Sequence, residues 1–309
     1  MDRISRAVKH LQNGTLFERL RLEWDQYFKR RRLLWWTSQN RKREYIEKKM
    51  QPNLMMRLYF DSILCHYIYF WKDHEKSELQ FLRALLKPGD TFIDIGANVG
   101  LYTLIAAQRV GEEGHIYAFE PSTKSYQRLV ENVRLNQLTN VTCFRLGLSD
   151  TVNTLQMTVS LDGYDAWNSF AKPVRGRSFG SEMVECIRLD DFFEREDLLG
   201  RVAMMKIDVE GWESRVLLGG YKVLSREDAP ILQVEFTELA SQAAGSSCSM
   251  TYHLLEELGY RMFTYNARCK ELIPDPLRKR YPYLNLIAAK KSGDVSFRLA
   301  TNPFGTKAH

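Results

Sequence analysis

The stretch from Asp90 to Leu104, DTFIDIGANVGLYTL, leaves this chain few folds to choose from. A short apolar, β-branched run ends on Asp94, a turn carrying Gly96, Asn98 and Gly100 follows, and an apolar helical pattern then begins. Strand, glycine turn and helix in that order bring a nucleotide-like ligand to a helix N-terminus. The alternation recurs downstream. His115–Phe119 reads as a strand ending on Glu120-Pro121, 122–135 as a helix, and Val141–Leu146 as a strand ending at Gly147-Leu148-Ser149-Asp150. Arg201–Glu213 runs from strand into turn, with a helix to about Gly219, and Pro230–Phe236 is another buried strand. Such spacing predicts an α/β fold with a parallel sheet and helical crossovers.

The remaining segments complete a coarse map. A helix is expected over 77–86 with Ser77 as N-cap, and another over 250–258. Thr154–Val159, Met183–Leu189, Tyr260–Tyr265 and Leu284–Ala289 read as strands, with a small-residue loop at Ser241–Ser249. The polar stretch 160–182 is long enough to be a functional loop. Residues 53–71 fit either a β-hairpin or a buried helix. Residues 1–50 read as helix, with apolar positions at Leu16, Leu20, Trp24, Tyr27/Phe28 and Leu34/Trp35. The chain thus divides into a basic, mainly helical extension (1–76), a main domain (77–290) and a loose tail (291–309).

Charge follows the same division. Residues 1–87 carry 19 Lys and Arg against 10 Asp and Glu, a net +9, and the remainder carries net −3. The basic runs Arg30-Arg31-Arg32 and Arg41-Lys42-Arg43 flank Trp35-Trp36. They allow peripheral contact with a membrane or nucleic acid, or a solvated helix packing one aromatic stripe on the main domain or a second copy; the last is favoured. No uncharged apolar run is long enough to span a bilayer and no secretory h-region is present, so a cytoplasmic protein is expected. Five scattered cysteines without a CxxC, and six histidines without paired spacing, point to reduced thiols and no zinc site.

A dinucleotide fingerprint needs glycine at its second position so that the chain can approach a pyrophosphate. Asn98 stands there, which argues against NAD and for S-adenosylmethionine (SAM), an adenosine with no pyrophosphate. Glu120 stands where a carboxylate accepts ribose hydroxyls, and Asp150 where one accepts the adenine amine. Either is an ordinary strand-end acid taken alone; three acidic strand ends in a row, Asp94, Glu120 and Asp150, are less easily coincidental.

FIDIGANVGLYTL, FEPS, GLSD, KIDVEGWE and VEF together resemble the FkbM family of SAM-dependent methyltransferases, over about residues 75–290. The resemblance implies a Rossmann-like class I methyltransferase: a doubly wound, mostly parallel seven-stranded sheet whose last strand is antiparallel. It implies methyl transfer to a hydroxyl of a sugar, glycan or natural-product acceptor. Asp94, Gly96, Asn98 and Gly100 would shape the methionine end of the SAM pocket, Glu120 would hold the ribose, and Leu148, Ser149 and Asp150 the adenine. Lys206, Asp208 and Glu210 would face the sulfonium.

A sugar hydroxyl needs its proton taken as it attacks. Asp208 and Glu210 are the candidate bases, with Glu235 on the next strand, His253 behind them, and Lys206 holding the acids ionised. Alternatively, Lys206–Glu210 is a structural ion-pair network. Two carboxylates without a clear third ligand leave no metal assigned. Tyr164, Trp167, Phe170 and Trp212 are candidates to stack on an acceptor. Two competing readings are an RNA or protein methyltransferase holding its substrate on the basic N-terminus, and a membrane-surface or assembly module with a vestigial methylase domain. The first lacks an NPPY-like motif, KIDVEG standing in its place; the intact glycine turn and acids argue against the second.

Overall fold

A computed structural model describes residues 27, 30–70, 75–171, 178–290 and 292–301. The helical reading of 1–26, the loop positions 172–177 and the tail beyond 301 lie outside the described residues.

An eight-stranded sheet carries the fold, in the order β12-β11-β13-β10-β9-β3-β4-β5. Its strands are β3 (Thr91–Ile95), β4 (His115–Phe119), β5 (Val141–Phe144), β9 (Val202–Ile207), β10 (Ile231–Phe236), β11 (Arg261–Asn266), β12 (Glu271–Pro274) and β13 (Leu284–Ala289). β5, β4, β3, β9 and β10 are mutually parallel, and β13 runs antiparallel to both β10 and β11. This is the class I methyltransferase arrangement that the motifs imply, with one strand more than expected. The extra strand, β12, pairs with the edge of β11 through the Pro-containing segment that joins the last two expected strands.

Successive residues of a strand point to opposite faces, and both faces here are apolar. Phe92 and Met204 belong to one buried cluster, while Ile93 and Met205 belong to the other. The first cluster is covered by α3 (Lys76–Leu85), α4 (Leu101–Val110) and α5 (Thr123–Leu135); the second by α6 (Leu189–Arg195), α7 (Glu213–Gly219), α8 (Tyr221–Ser225) and α10 (Cys248–Glu257). The helix α9 (Glu238–Ala243) occupies part of the expected small-residue loop. A separate sheet of β6 (Gly147–Leu148), β8 (Phe179–Ile187) and β7 (Asn153–Ser160) stands beside the main one. β8 starts earlier than expected, which shortens the loop between β7 and β8. Its first half carries a 3-10 turn at Asp165–Trp167 and a bridge from Thr158 to Ser169.

The N-terminal segment departs most from expectation. Residues 30–39 are helical (α1), but Tyr45–Gln51 is a strand, β1, in a hairpin with β2 (Leu54–Tyr59). The helix α2 (Ile63–Phe70) follows, so 53–71 is neither hairpin nor helix alone but the end of one and the whole of the other. Side chains of α5 pair the backbone of β2: Asn132 accepts from the Arg57 amide at 2.7 Å and Asn136 from the Met55 amide at 2.8 Å. A sheet edge is thereby capped. Leu54, Met56 and Leu58 share the core of α3 and α4.

Trp36 is buried in that core with its ring 4.4 Å from Phe60, while Arg43 lies over Phe60 and Arg32 over Phe70. Of the expected aromatic stripe, Trp35 touches Phe60, Tyr69 and Phe70, Tyr27 and Leu34 are exposed, and positions 16, 20, 24 and 28 lie outside the described residues. The helix α3 begins one residue before Ser77, capped by Glu75 in a left-handed conformation (φ 47°). The described part of the tail forms α11 (Ser292–Thr301), with Val295 and Leu299 in the core and Arg298 on Asp90 at 2.7 Å. Among the described residues no helix is long and apolar enough to cross a membrane.

Truncating Trp36 to Ala is expected to cost about 3–5 kcal/mol of stability, the range for a large buried aromatic. Trp35→Ala, at a position 40% exposed, should cost clearly less. Urea denaturation of the two variants checks this; equal losses would contradict the packing described.

Candidate active site

The parallel strands deliver their C-terminal ends to one edge of the sheet, where ligands of open α/β folds bind. A cavity of about 930 Å³ opens there, lined from β3, β4, β9, β10, the loop after β7 and the start of α3.

The glycine turn is its first wall. Gly96 has φ +83°, and a Cβ on it would stand 1.8 Å from the carbonyl oxygen of Asp208. The turn after β3 is thus pressed against the turn after β9, and the Asp208 amide donates to the Ile95 carbonyl at 3.0 Å. The Gly96 and Ala97 amides donate to Phe119, the Asn98 amide to Glu120 and the Gly100 amide to Ala97. Those four donors are consumed within the protein, so the turn offers a shape more than a phosphate cradle. Gly100 (φ +95°) starts α4 and does not line the cavity. Asn98 does, and its amide side chain donates to the Asp165 carbonyl at 3.3 Å, tying the loop after β7 to the turn.

Two acids close the cofactor side. Asp94 is fully buried, with Oδ2 accepting from Thr103 at 2.6 Å and Oδ1 without a hydrogen-bond partner among the described residues. Burial raises its carboxyl, opposed by Lys206. Glu120 accepts from the amides of Asn98 (2.8 Å) and Ser122 (2.9 Å), and burial pushes it up to about 7. Leu148 also lines the cavity, but Ser149 and Asp150 do not. Ser149 accepts from the Trp212 indole at 3.2 Å, and Asp150 is bound to Arg215 at 2.7 Å. Both side chains are thus engaged by Trp212 and Arg215, at and just inside the start of α7.

The opposite wall is the end of β9 and β10. Register pairs Ile207 with Val234, which brings Asp208 level with Glu235. Lys206, buried, donates to Asp208 at 2.7 Å and sits 4.6 Å from the centre of the Tyr102 ring. Burial alone would lower the Lys206 ammonium; Asp208, Asp94 and Glu75 outweigh it and raise it. Glu210 turns back in a left-handed conformation (φ 53°), braced by Glu213, which accepts from the Val209 and Gly211 amides. Burial, then Asp208 and Glu213, raises the Glu210 carboxyl well above the usual range. Burial, then Glu210 and Asp208, does the same for Glu235. One carboxylate oxygen from each of Asp208, Glu210 and Glu235 lies within 4.8 Å of the others. Glu235, already a candidate base from the sequence, is the third carboxylate of this group.

All four expected catalytic residues, Lys206, Asp208, Glu210 and Glu235, line the cavity. His253 does not: it is exposed on α10 and faces Glu256. Of the aromatic candidates, Trp167 and Phe170 line the cavity, whereas Tyr164 stacks behind Trp167 at 5.0 Å and Trp212 packs on Phe170 at 5.4 Å. Glu75, Tyr102, Asp165 and Tyr283 were not foreseen. Tyr283 donates to Glu75 at 2.6 Å, joining two residues remote in sequence. Positive-φ Glu75 leaves no sequence signal, and Asp165 sits in a loop whose course depends on the second sheet.

Gly89 and Gly96 share nearly the same φ, but a Cβ on Gly89 meets open space. Gly89→Ala should therefore cost about 1–2 kcal/mol for left-handed strain, and Gly96→Ala at least about 2 kcal/mol more as the two turns separate. Thermal unfolding of both variants measures the difference; equal costs would refute the contact.

The Methyltransferase FkbM domain matches residues 94–262, more than half of the chain. Methyltransferase 1 of Beauveria bassiana is 28% identical over 189 residues, covering 56% of this chain and 73% of that protein. The hexuronic acid methyltransferase AglP of Haloferax volcanii is 25% identical over 178 residues, covering 54% and 70%. A solved structure of an FkbM methyltransferase from Methylobacillus flagellatus superposes with a TM-score of 0.40 at 16% identity, over 66% of this chain and 44% of that one. The chain belongs to the FkbM methyltransferase family.

Proposed function

We propose that the cavity binds SAM and that the protein methylates a hydroxyl oxygen of a sugar, glycan or natural-product acceptor. The observation that carries this reading is the charge of the cavity. Eight carboxylates line it against two lysines, Lys76 and Lys206, on a wall otherwise rich in apolar side chains. A ligand with a sulfonium and an ammonium group fits such a surplus. The oxygen of Asp94 that has no hydrogen-bond partner among the described residues gives it a donor-seeking acid.

SAM supplies a methyl group on a positively charged sulfur; the residues supply the rest. Glu120 accepts the ribose hydroxyls on lone pairs left over from the Asn98 and Ser122 amides. Asp94 faces the amino-acid end. Leu148, Met157 and Phe170 offer an apolar slot for the adenine. Asp208, Glu210 and Glu235 stand where an acceptor hydroxyl must give up its proton, and general-base help of this kind is worth about 10²–10⁴-fold. Lys206 holds Asp208 in place through its hydrogen bond. Trp167 gives the acceptor a flat surface. A sugar acceptor is further supported by the relative named a hexuronic acid methyltransferase.

Transfer of labelled methyl from SAM to oligosaccharides containing hexuronic acid tests the reading. An alkali-stable ether product is expected; label released by mild alkali would mean an ester, and label on amines or RNA would overturn the hydroxyl assignment.

A pH dependence follows from Glu120, which is pushed up to about 7 in the free protein. Below that pH it is largely protonated and must lose the proton to accept both ribose hydroxyls. SAM affinity should rise up to about tenfold per pH unit toward pH 7 and level off above it. Equilibrium dialysis between pH 5.5 and 8.5 measures this, and Glu120→Gln should flatten the curve.

A further inference from the structure

We propose that Asp208, Glu210 and Glu235 form a divalent-cation site on the acceptor side of the cavity, selective for hard ions such as Mg²⁺ or Mn²⁺. The site itself stands on geometry alone; its catalytic use rests on the SAM reading above.

The three carboxylates come from the ends of two adjacent parallel strands and the turn between β9 and α7, and one oxygen of each lies within 4.8 Å of the others. Ligand oxygens of an octahedral Mg²⁺ stand about 2.9 Å apart when cis and about 4.2 Å when trans, so a small inward movement of side chains completes the set. An acidic cluster alone could be an unoccupied surface feature. Glu235 makes this one different. It is 4% exposed, its Oε1 accepts from Thr237 at 2.9 Å, and its Oε2 has no hydrogen-bond partner among the described residues. It also lines the cavity that Asp208 and Glu210 line. A buried carboxylate oxygen without a donor is costly unless a cation or a proton meets it.

Lys206 does not fill that need. It is committed to Asp208 Oδ2 at 2.7 Å, and its charge is shared with Asp94 and Glu75. An all-oxygen ligand set with no histidine or thiol selects Mg²⁺, Mn²⁺ or Ca²⁺ over Zn²⁺. Three protein oxygens leave open positions for water and for an acceptor hydroxyl.

A hydroxyl bound to such an ion loses its proton at lower pH than a free one. In the transfer step the acceptor oxygen forms the new C–O bond, the C–S bond breaks with its electron pair going to sulfur, and the hydroxyl proton passes to a carboxylate or to ordered water. No oxidation state changes and the ion is not consumed.

Mn²⁺ alone is the probe, titrated into the full chain without SAM and followed by the EPR signal of the free ion. One saturable site is expected, with affinity weakened at least about tenfold in Glu235→Gln and unchanged in Asp150→Asn, whose carboxylate lies outside the cavity. Where Glu235→Gln does not fold, Glu210→Gln gives the same readout. The proposal is overturned by absence of saturable Mn²⁺ binding, or by undiminished binding in the folded variants. SAM binding, measured separately by calorimetry, distinguishes this failure from that of the methyl-transfer reading: either can be lost with the other intact.

Discussion

Everything at the site depends on two turns lying in van der Waals contact. The turn after β3 can touch the turn after β9 only because residue 96 has no side chain where the Asp208 carbonyl stands. The hydrogen bond from the Asp208 amide to Ile95 locks the approach. From that contact follows the rest: Asp94 is sealed beneath the turn, Lys206 is held between Asp94 and Asp208, and Asp208 is brought level with Glu235. A similar device supports the second turn, where a Cβ on Gly211 would collide with the Ala240 carbonyl. The site is therefore built on backbone packed against backbone, which deforms less than side chains do.

Concentrating carboxylates in a buried cavity works against folding, because each ionised group must leave water. The protein meets this cost in three ways. Glu120 and Glu213 receive backbone amides, Lys206 supplies one compensating charge, and burial favours the protonated forms of Glu210 and Glu235. A surplus of acids remains after these compensations, and it makes the cavity receptive to cationic ligands. Three of the seven non-glycine residues in the left-handed region among the described residues, Glu75, Asn98 and Glu210, line the same cavity.

The parallel strands and their acidic ends were legible because each β-strand, turn and helix there carries its own local signal: apolar run, acid, glycine, apolar period. Asp94, Glu120, Asp208 and Glu235, all named from such signals, line the cavity. Asp150 shows what the local signal leaves open: a strand-end acid looks the same in sequence whether or not a residue such as Arg215 pairs with it. Residues 45–51, YIEKKMQ, carry no clear apolar alternation; pairing with β2, whose Arg57 and Met55 amides are bound by Asn132 and Asn136 75 and 81 residues further on, decides the outcome. Glu75, Asp165 and Tyr283 reach the cavity through tertiary contacts alone, so no local pattern announces them. Trp36 differs from Trp35 only in which side of α1 meets the body.

The central claim is that the cavity at the ends of β3, β4, β9 and β10 is a SAM site with its methyl-transfer side at Asp208. A crystal structure of the chain with S-adenosylhomocysteine tests it most directly. The account predicts ribose hydroxyls within hydrogen-bonding distance of Glu120, the adenine beside Leu148, and the sulfur directed toward Asp208, Glu210 and Glu235. A ligand bound elsewhere, or lying in the cavity with its sulfur turned away from those three carboxylates, would contradict it.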